Sequence, residues 1–475
     1  MPVRPHTRDQ GWLLPPNLEE MLAPEHPVRF VAAFVDEIDS AGWSELGVEV
    51  EALGAPAYHP RLLLSVWCYG FMTGVRSSRR LEVACRESLP YLWLAGLQTP
   101  DHNTLWRFYQ AHRDRMRLLL KRSVQAAVAS GLLDLALQAV DGSKIGANAS
   151  VYRLHTAAGL RRLLERTALA IADLEAQNQT GGEPVPPQLP QELRRKTALQ
   201  AKVRQALQEI DEKERLNLTD EDSKLLKVKG GYLLGYNAQA VATPLRPEAG
   251  GGQLITAAAI EADDRHALLP MLEAAEENLE QQPAVSLADA GYHTAANVAL
   301  SQAQGRAVLM PDRQERLAKD PYHSDAFRYD SEQDVYTCPQ GELLRFQALR
   351  HDRKGQAVRR YRATASVCRA CPAFGACTRN YRHGRTLEIG PQDAALQAHR
   401  ALMATPEAKA VYSFRKQLIE PVFGVIKEQL NGRRFLLRGQ RGVCSEWTLL
   451  ATAFNLRVLA RVWARTLTPP QPIPA

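Results

Sequence analysis

The sequence lacks the marks of a membrane protein or a secreted protein. No apolar stretch in its 475 residues reaches the roughly 18 residues that a membrane-spanning helix needs. The basic side chains near the N-terminus are not followed by an apolar run, so we expect no secretory signal there. We therefore predict a cytoplasmic protein that has no membrane partner.

Cysteine is scarce, and it is unevenly distributed. Seven cysteines are too few for a disulfide scaffold in a chain of this length. Three of them are predicted to be core residues, namely Cys68, Cys85 and Cys444. The other four cluster late in the chain, which favours metal binding over disulfides, and they are Cys338, Cys368, Cys371 and Cys377.

The spacing of the four clustered cysteines suits a structural zinc site. Cys368 and Cys371 are separated by two residues, and Cys338-Pro-Gln-Gly341 resembles the turn of a zinc knuckle. Four thiolates can close a tetrahedral site around Zn2+. The alternative is a set of reduced cysteines in an inserted loop.

The chain is basic, with a formal net charge of +7 and a pI near 9.0. This balance permits a polyanionic partner such as nucleic acid, although charge alone is weak support for one. The length allows roughly two to four domains.

Residues 1–125 are predicted to form a helical N-terminal DNA-binding domain. Apolar residues recur at helical spacing in residues 27–38, and residues 61–74 form an apolar helix. A short helix at 77–87, a turn, and a second helix that restarts within 97–108 resemble a helix-turn-helix. An ordinary helical bundle with a solvated basic face is the alternative.

Residues 131–465 are predicted to form an α/β domain with two insertions. Its core elements follow the order three strands, helix, strand, helix, strand, which resembles an RNase H-like core. The first insertion, 152–226, is predicted to be a helical hairpin that serves either as a solvated spacer or as a DNA or dimer contact. The second insertion, 312–390, is basic and contains the cysteines, and the Pro-rich tail at 468–475 is predicted to be disordered.

Three acidic residues, far apart in the chain, suit a divalent-metal site. Asp141 and Asp289 each follow an apolar run that is predicted to be a strand, and Glu420 lies in a predicted helix. Mg2+ prefers oxygen ligands and keeps several waters, so three carboxylates suffice. Two such ions roughly 3.5–4 Å apart can generate an oxygen nucleophile and neutralise the leaving oxygen of a phosphodiester.

Seven short blocks carry a resemblance to a known family. They include Asp141-Gly-Ser-Lys144 and Glu420-Pro-Val-Phe-Gly-Val-Ile-Lys427, and in chain order they occupy residues 13–18, 26–30, 100–105, 141–144, 235–239, 289–292 and 420–427. Together they resemble the DDE transposases of bacterial insertion sequences, of the type with a Tyr-Arg-Glu-Lys signature. Each block is weakly specific, but their order over nearly the whole chain is highly specific.

The resemblance implies an RNase H-like core and a DNA-cutting and DNA-joining activity. Asp141, Asp289 and Glu420 would bind two Mg2+ or Mn2+ ions. One ion would activate water to cut at the transposon end, and the freed 3′-hydroxyl would attack target DNA by direct in-line displacement. The partners would be double-stranded transposon ends and target DNA, bound by a homodimer in the bacterial nucleoid.

The residues predicted to contact DNA are Lys416, Lys427, Arg433, Arg434, Asn103 and Arg107. A helix rotates by about 100° per residue, so the Lys427 side chain should point within about 20° of the direction of Glu420, and the Lys416 side chain within about 40°. The Arg415 side chain should point about 140° away from that direction. Lys416 therefore fills the slot of the family's Arg, and Tyr412 stands one residue early. Lysine keeps the charge but loses the bidentate fork, and Pro421 predicts a kink or a helix start beside Glu420.

Two other functions compete with a transposase. A nuclease on the same fold would cut DNA without joining the ends. A catalytically inactive, zinc-stabilised DNA-binding protein derived from a transposase would bind DNA and do neither.

Overall fold

The structure is a computed structural model that describes residues 17–48, 58–179, 189–211, 214–312, 320–351 and 355–467. Across these ranges the chain is a mixture of helices and sheets, as predicted. Within the same ranges, no helix combines the length and the apolar character that a membrane crossing requires. The predicted disordered tail at 468–475 and the basic residues Arg353 and Lys354 lie outside the described residues.

The N-terminal part of the described chain is helical. Its helices are α1 (Leu18–Met21), α2 (Pro27–Asp36), α3 (Ser40–Glu45), α4 (Pro60–Met72), α5 (Ser78–Glu87), α6 (Leu89–Leu94), α7 (His102–His112) and α8 (Arg117–Ala129). Helix α4 is buried along most of its length, because its sequence is apolar on every side. The predicted domain limit at residue 125 falls inside α8, so the helical region extends slightly further than expected.

The segment predicted to be a helix-turn-helix contains an additional helix. Helix α6 lies between α5 and α7, where a turn was predicted, and the proline of its first turn suits a helix start. The helix predicted to restart within 97–108 begins only at His102. Leu97 has a left-handed backbone with φ of 62°, and the Asp101 side chain caps α7 by accepting hydrogen bonds from Asn103 N and Thr104 N.

A six-stranded sheet and a small two-stranded sheet follow. The strands are β1 (Leu137–Gly146), β2 (Leu154–Thr156), β3 (Arg215–Asn217), β4 (Lys224–Val228), β5 (Gly231–Pro244), β6 (Gln253–Glu261), β7 (Val285–Leu287) and β8 (Val308–Leu309). The helices between them are α9 (Ala157–Gln179), α10 (Leu189–Glu209), α11 (Asp264–Leu279) and α12 (Ala295–Ala303). In the larger sheet, the strands β1, β5, β6, β7 and β8 and the helices α11 and α12 follow one another in the predicted order. Strand β4 is an additional strand at the edge of this sheet.

Strand β5 is the centre of the six-stranded sheet. It runs antiparallel to β1 on one side, and on the other side it pairs first with β4 and then with β6. Strand β7 is parallel to β1, and β8 is parallel to β7. The order β6-β5-β1-β7-β8 therefore combines three antiparallel strands with two parallel ones.

The first insertion contains two helices that pack against each other. Helices α9 and α10 share a small apolar cluster, and strands β2 and β3 pair beside it. The fully buried members of the cluster are Leu160, Val203, Ala206 and Leu218. This cluster is separate from the main core.

The second insertion contains an antiparallel sheet that the sequence did not predict. Its elements are β9 (Arg328–Asp330), β10 (Val335–Thr337), β11 (Leu343–His351), β12 (Ala357–Ala363), the helix α13 (Ala365–Ala370) and β13 (Thr386–Ile389). The strand order is β13-β12-β11-β10-β9. A small apolar cluster supports this sheet, and its buried members are Phe327, Leu344, Tyr361, Ala363 and Leu387.

Four helices complete the described chain, namely α14 (Asp393–Ala404), α15 (Pro406–Ser413), α16 (Arg415–Glu428) and α17 (Gly439–Leu467). Helix α17 is buried over most of its length and packs on α4, α8 and β6. The main apolar core is therefore shared, with Trp67 of α4 and Trp447 of α17 both fully buried within it. The N-terminal helices do not have a core of their own.

A buried ion pair reinforces this shared core. Arg76 Nη1 lies 2.6 Å from Glu446 Oε1, and the two side chains are only 5% and 2% exposed. Glu446 also accepts hydrogen bonds from the backbone nitrogens of Leu436 and Leu437. The pair ties the loop after α4 to α17.

Candidate active site

Two neighbouring strands bring Asp141 and Asp289 together. The sequence predicted Asp141 at the end of its strand, but it lies within β1, because β1 continues to pair with β5 as far as Gly146. The parallel neighbour β7 stops earlier, and the register pairs Ala139 with Leu287. Two residues further along each chain come Asp141 and Asp289, so the two carboxylates lie side by side where β7 has ended.

Asp141 is held by one backbone group and one cation. Its Oδ1 accepts a hydrogen bond from Gly142 N at 2.8 Å, and its Oδ2 accepts one from Arg415 Nη1 at 2.9 Å. Burial raises the pKa of Asp141 above its ordinary value, the charge of Arg415 acts to lower this pKa, and the charge of Asp289 raises it further. Asp289 is therefore close enough to disfavour ionisation of Asp141, while its own Oδ1 accepts from Gly291 N at 2.6 Å.

Arg415 occupies the place that the sequence assigned to Lys416. Lys416 is exposed, whereas Arg415 is largely buried against Asp141. Burial acts to lower the pKa of Arg415, but the attraction and hydrogen bond of Asp141 outweigh it, so this pKa is raised. Arg415 is the first residue of α16, and Phe414 alone separates it from the end of α15 at Ser413. The angular count placed Arg415 inside a longer helix and did not predict its contact with Asp141.

Tyr412 also lies at this junction, close to both aspartates. Burial raises the pKa of its hydroxyl, the charge of Arg415 acts to lower this pKa, and the charge of Asp289 acts to raise it. Tyr412 and Arg415 are thus both present at the acidic pair. They are three residues apart, as in the signature, but each stands one residue early relative to Glu420.

Glu420 lies on the helix that covers β1, and it is exposed. Helix α16 is bonded to β1 at two points, through Arg415 to Asp141 and through Lys427 Nζ, which donates to Ser143 Oγ at 2.6 Å. Glu420 lies between these two points along the helix and within about 20° of Lys427 by the helical count. Within the described chain, no hydrogen bond or ion pair joins it to either aspartate.

Pro421 lies inside α16, which runs from Arg415 to Glu428. The sequence allowed either a kink or a helix start beside Glu420. The helix does not start there, because it begins six residues earlier at Arg415. Helical geometry at Glu420 is maintained by the residues on both sides.

A further acidic residue, Asp264, stands close to Asp141. Its Oδ1 accepts hydrogen bonds from Asn237 Nδ2 and Gln239 Nε2, each at 2.9 Å. The sequence predicts only a favourable helix-start charge for it. In the structure Asp263 caps α11 by accepting from His266 N at 3.1 Å, which leaves Asp264 to bind the sheet. The spacing of Asn237 and Gln239, two residues apart on one face of β5, is the signal that could have indicated a shared partner.

Close packing beside Asp141 explains the glycine that follows it. A Cβ at Gly142 would lie 2.3 Å from Gln239 Nε2 and 2.9 Å from Asp264 Oδ1. Gln239 Oε1 in turn accepts a hydrogen bond from the hydroxyl of Tyr292. Burial raises the pKa of Tyr292, and the charges of Asp264, Asp141 and Asp289 raise it further. Tyr292, Gln239 and Asp264 therefore form a hydrogen-bonded row along the acidic pair.

The oxygen donors of this site fit a hard divalent cation. No group of three or more His, Cys, Asp or Glu side chains in the described ranges is already arranged to hold a metal ion. The two adjacent aspartates nevertheless offer oxygen ligands whose mutual repulsion a cation would relieve, and this is the ligand chemistry that Mg2+ and Mn2+ prefer. Asp141 and Asp289 would hold such an ion, with Glu420 supplied from α16.

The residues predicted to contact DNA fall into two groups. The first group has exposed side chains and contains Asn103 and Arg107 of α7 and Lys416 of α16. Those engaged within the protein are Lys427, bonded to Ser143, Arg433, bonded to Glu428, and Arg434. The Arg434 guanidinium donates to Ala147 O at 2.8 Å and to Ala149 O at 3.2 Å, so it supports the chain after β1. Arg434 is itself exposed, so its contact with DNA stays a prediction.

The four clustered cysteines line one small cavity in the second insertion. Its volume is about 30 Å3. Burial raises the pKa of Cys377, and the nearby thiols of Cys338, Cys368 and Cys371 raise it further, while Arg385 acts to lower it. Of the remaining cysteines, Cys68 and Cys85 are buried in the main core as predicted, and Cys444 is half-buried at its edge.

Two family models match parts of the chain. The family described as Transposase DDE domain matches residues 337–460, and the family described as Transposase domain (DUF772) matches residues 16–111. Neither match covers half of the chain. Glu420 lies within the first match, whereas Asp141 and Asp289 lie outside both. Together the matches support a DDE transposase family, and searches of curated proteins and of solved structures found no match.

Proposed function

We propose that the protein is the DNA transposase of a bacterial insertion sequence and that it cuts and joins DNA strands by metal-dependent phosphoryl transfer. The observation that carries this proposal is the adjacency of Asp141 and Asp289 beneath a helix that bears Glu420. The two transposase-family matches support the same function from separate parts of the chain.

The sheet supports an RNase H-like core for this chemistry. Three antiparallel strands, β6, β5 and β1, continue into the parallel strands β7 and β8, with α11 and α12 between the later strands. In this arrangement the two carboxylates lie where β7 has ended, and both residues are partly exposed to solvent. A DNA strand is proposed to reach them from that exposed side.

The chain's own residues would divide the work of the reaction. Bound divalent ions supply an activated oxygen nucleophile and neutralise charge on the leaving oxygen. Asp141, Asp289 and Glu420 would hold those ions, and Asp264 would keep Asn237 and Gln239 in place beside them. Arg415, which now neutralises Asp141, would be available to a DNA phosphate once a metal ion takes over that role.

DNA is proposed to reach this site along exposed basic and polar side chains. Lys416 stands one turn before Glu420 on α16, and Asn103 and Arg107 are exposed on α7. Contacts of this type neutralise phosphates, so binding should weaken steeply as salt concentration rises. Because two transposon ends must be joined to one target, we propose that the DNA-bound form is a homodimer.

The test uses a duplex that carries the inverted repeats found beside the reading frame. With Mg2+ the protein is expected to nick this duplex and, when given pre-cut ends, to join them to a target plasmid. Asp141→Asn, Asp289→Asn and Glu420→Gln should each lose both reactions, whereas Glu428→Gln, an exposed change on the same helix, should retain them. Cutting without joining would identify a nuclease, and tight binding without cutting would identify an inactive DNA-binding protein.

A further inference from the structure

The four cysteines of the second insertion, we propose, form a structural zinc site that holds the five-stranded sheet together. The site would consist of Cys338, Cys368, Cys371 and Cys377, all as thiolates. It lies apart from Asp141 and Asp289, and it does not depend on the proposed transposase activity.

Two separate stretches of chain converge on this site. Cys338 directly follows β10, Cys368 lies in α13, Cys371 caps the C-terminus of α13, and Cys377 lies in the loop beyond it. All four side chains line the same cavity. Four of the chain's seven cysteines thus surround one cavity, and four is the number of ligands that a tetrahedral thiolate site requires.

Two sulfur atoms already accept backbone hydrogen bonds. Glu342 N donates to Cys338 Sγ at 3.3 Å, and Arg385 N donates to Cys368 Sγ at 3.3 Å. Hydrogen bonds to the ligand atoms orient them and stabilise the negative charge of a thiolate. Both donors lie outside the Cys368–Cys371 segment. The surrounding backbone therefore already directs N–H groups at the sulfur atoms.

The turns that present these cysteines are tight and specific. After Cys338 the chain reverses at Gly341, where φ is +89°, and Gly341 N donates to Cys338 O at 2.8 Å. At Gly384, where φ is +67°, an added Cβ would lie 3.1 Å from Cys368 Sγ. Gly341 therefore allows the reversal of the chain after Cys338, and Gly384 allows the backbone to pass close to the sulfur of Cys368.

The apolar core of the insertion is small. Its apolar cluster has only five fully buried members among the described residues, and strand β11 is exposed along most of its length. A sheet of this size cannot gain enough from burial alone, and small domains of this kind commonly rely on a metal or on disulfides. Within the described chain no three of the thiols are already arranged around an ion, so binding would draw the sulfurs inward to bonds of about 2.3 Å.

The site would secure the insertion without touching the acidic pair. Arg400 of α14 donates to Asp312, just after β8, at 2.7 Å and to Asp325, before β9, at 2.7 Å. This double contact fastens the start of the inserted sheet to the larger one. Loss of zinc is therefore expected to loosen the insertion beyond Asp325 while the main core persists.

The proposal is tested on the full-length protein, purified without an immobilised-metal tag. Elemental analysis should find about one zinc ion per chain, and Co2+ added to the metal-free protein should give the absorption bands of a tetrahedral thiolate site. Cys338→Ser and Cys371→Ser should lose most of the bound zinc. Cys444→Ser, at a half-buried cysteine outside the cavity, should retain it, and so should the catalytic variant Asp141→Asn.

Three outcomes would overturn the proposal. The first is a folded wild-type protein with substoichiometric zinc and no cobalt bands. The second is a protein mass that is lower by the hydrogen atoms lost on forming one or two disulfide bonds, which would assign the cysteines to covalent pairs. The third is rapid modification of all four thiols that added zinc does not slow. Because each is measured on the wild type, a variant that fails to fold does not decide the result.

Discussion

The two larger sheets of the molecule are held in different ways. The six-stranded sheet is covered by helices, shares its core with the N-terminal helices and α17, and is locked by the buried pair of Arg76 and Glu446. The five-stranded sheet of the insertion has a small core, exposed ion pairs and four cysteines around one cavity. Carboxylates that repel one another need a rigid framework, and here they stand on the sheet with the larger core.

The largest difference between the two sheets should be seen when one ion pair is broken in each. Arg76→Ala leaves Glu446 buried without its partner, and such a change costs about 3–5 kcal/mol. Arg359→Ala breaks the exposed pair with Asp334 in the insertion, where solvent screens the charges and we expect a much smaller loss. Urea unfolding followed by circular dichroism measures both. Equal losses would contradict the idea that only the first sheet depends on buried charge.

The next effect concerns packing beside Asp141. Gly142→Ala forces a Cβ to within 2.3 Å of Gln239 Nε2, and overpacking of this kind costs about 1–3 kcal/mol. DNA cleavage should fall as well, because the row of Gln239 and Asp264 must shift. The control is Gly424→Ala, on α16, where a Cβ would meet nothing within 4 Å and where alanine favours the helix by up to about 1 kcal/mol. Thermal unfolding and cleavage rates should separate the two variants.

Two adjacent aspartates provide a matched test of the acidic row. Asp263→Ala removes the cap of α11 and should cost about 0.5–2 kcal/mol of stability with little change in the cleavage rate. Asp264→Ala removes the acceptor of Asn237 and Gln239, and loss of such support typically costs about 10–100-fold in activity or metal affinity. Calorimetric titration of Mn2+ in the absence of DNA checks the second effect. If Asp263→Ala is the more damaging variant for metal binding, Asp264 has no special role.

The smallest effect is a pH dependence of stability. Because the folded-state pKa of Asp141 is raised by burial, its ionisation opposes folding at neutral pH, and protonation removes this opposition as pH falls through the raised pKa. Asp141→Asn should therefore raise the Tm of the metal-free protein slightly at pH 7, and the gain should vanish at pH values below the ordinary range for aspartate. Scans in a chelating buffer between pH 3 and pH 7 measure it. If the Tm gain of Asp141→Asn instead grew toward low pH, the pKa of Asp141 would be lowered by folding and not raised.

Much of the framework could be predicted from the apolar runs. The order β1, β5, β6, α11, β7, α12 and β8 was correct, although β2, β3 and β4 were not predicted. The position of Asp289 after a strand was also correct, because a short buried strand ends where its apolar residues end. Asp141 was misplaced because pairing with β5 carries β1 onward through polar residues. Strand length there is set by the partner strand and not by hydrophobicity.

The details that failed depend on contacts between distant segments. Arg415 was dismissed by a count that assumes a continuous helix, whereas it lies at the junction of α15 and α16. The inserted sheet was missed because β11 is exposed for most of its length and lacks the alternation of a half-buried strand. The hydrogen bonds from Arg434 to the backbone of Ala147 and Ala149 also join distant segments, so the sequence could not indicate them.

The shared main core limits how such a protein can be rebuilt. Helix α4 packs its apolar surface on α17, near the opposite end of the chain. A fragment that ends at residue 130 would expose that surface, so we expect it to aggregate and not to serve as a portable recognition module. If the proposed function holds, altered recognition of DNA ends is therefore expected to arise by substitution on the solvent face of helices such as α7, and not by exchange of whole segments.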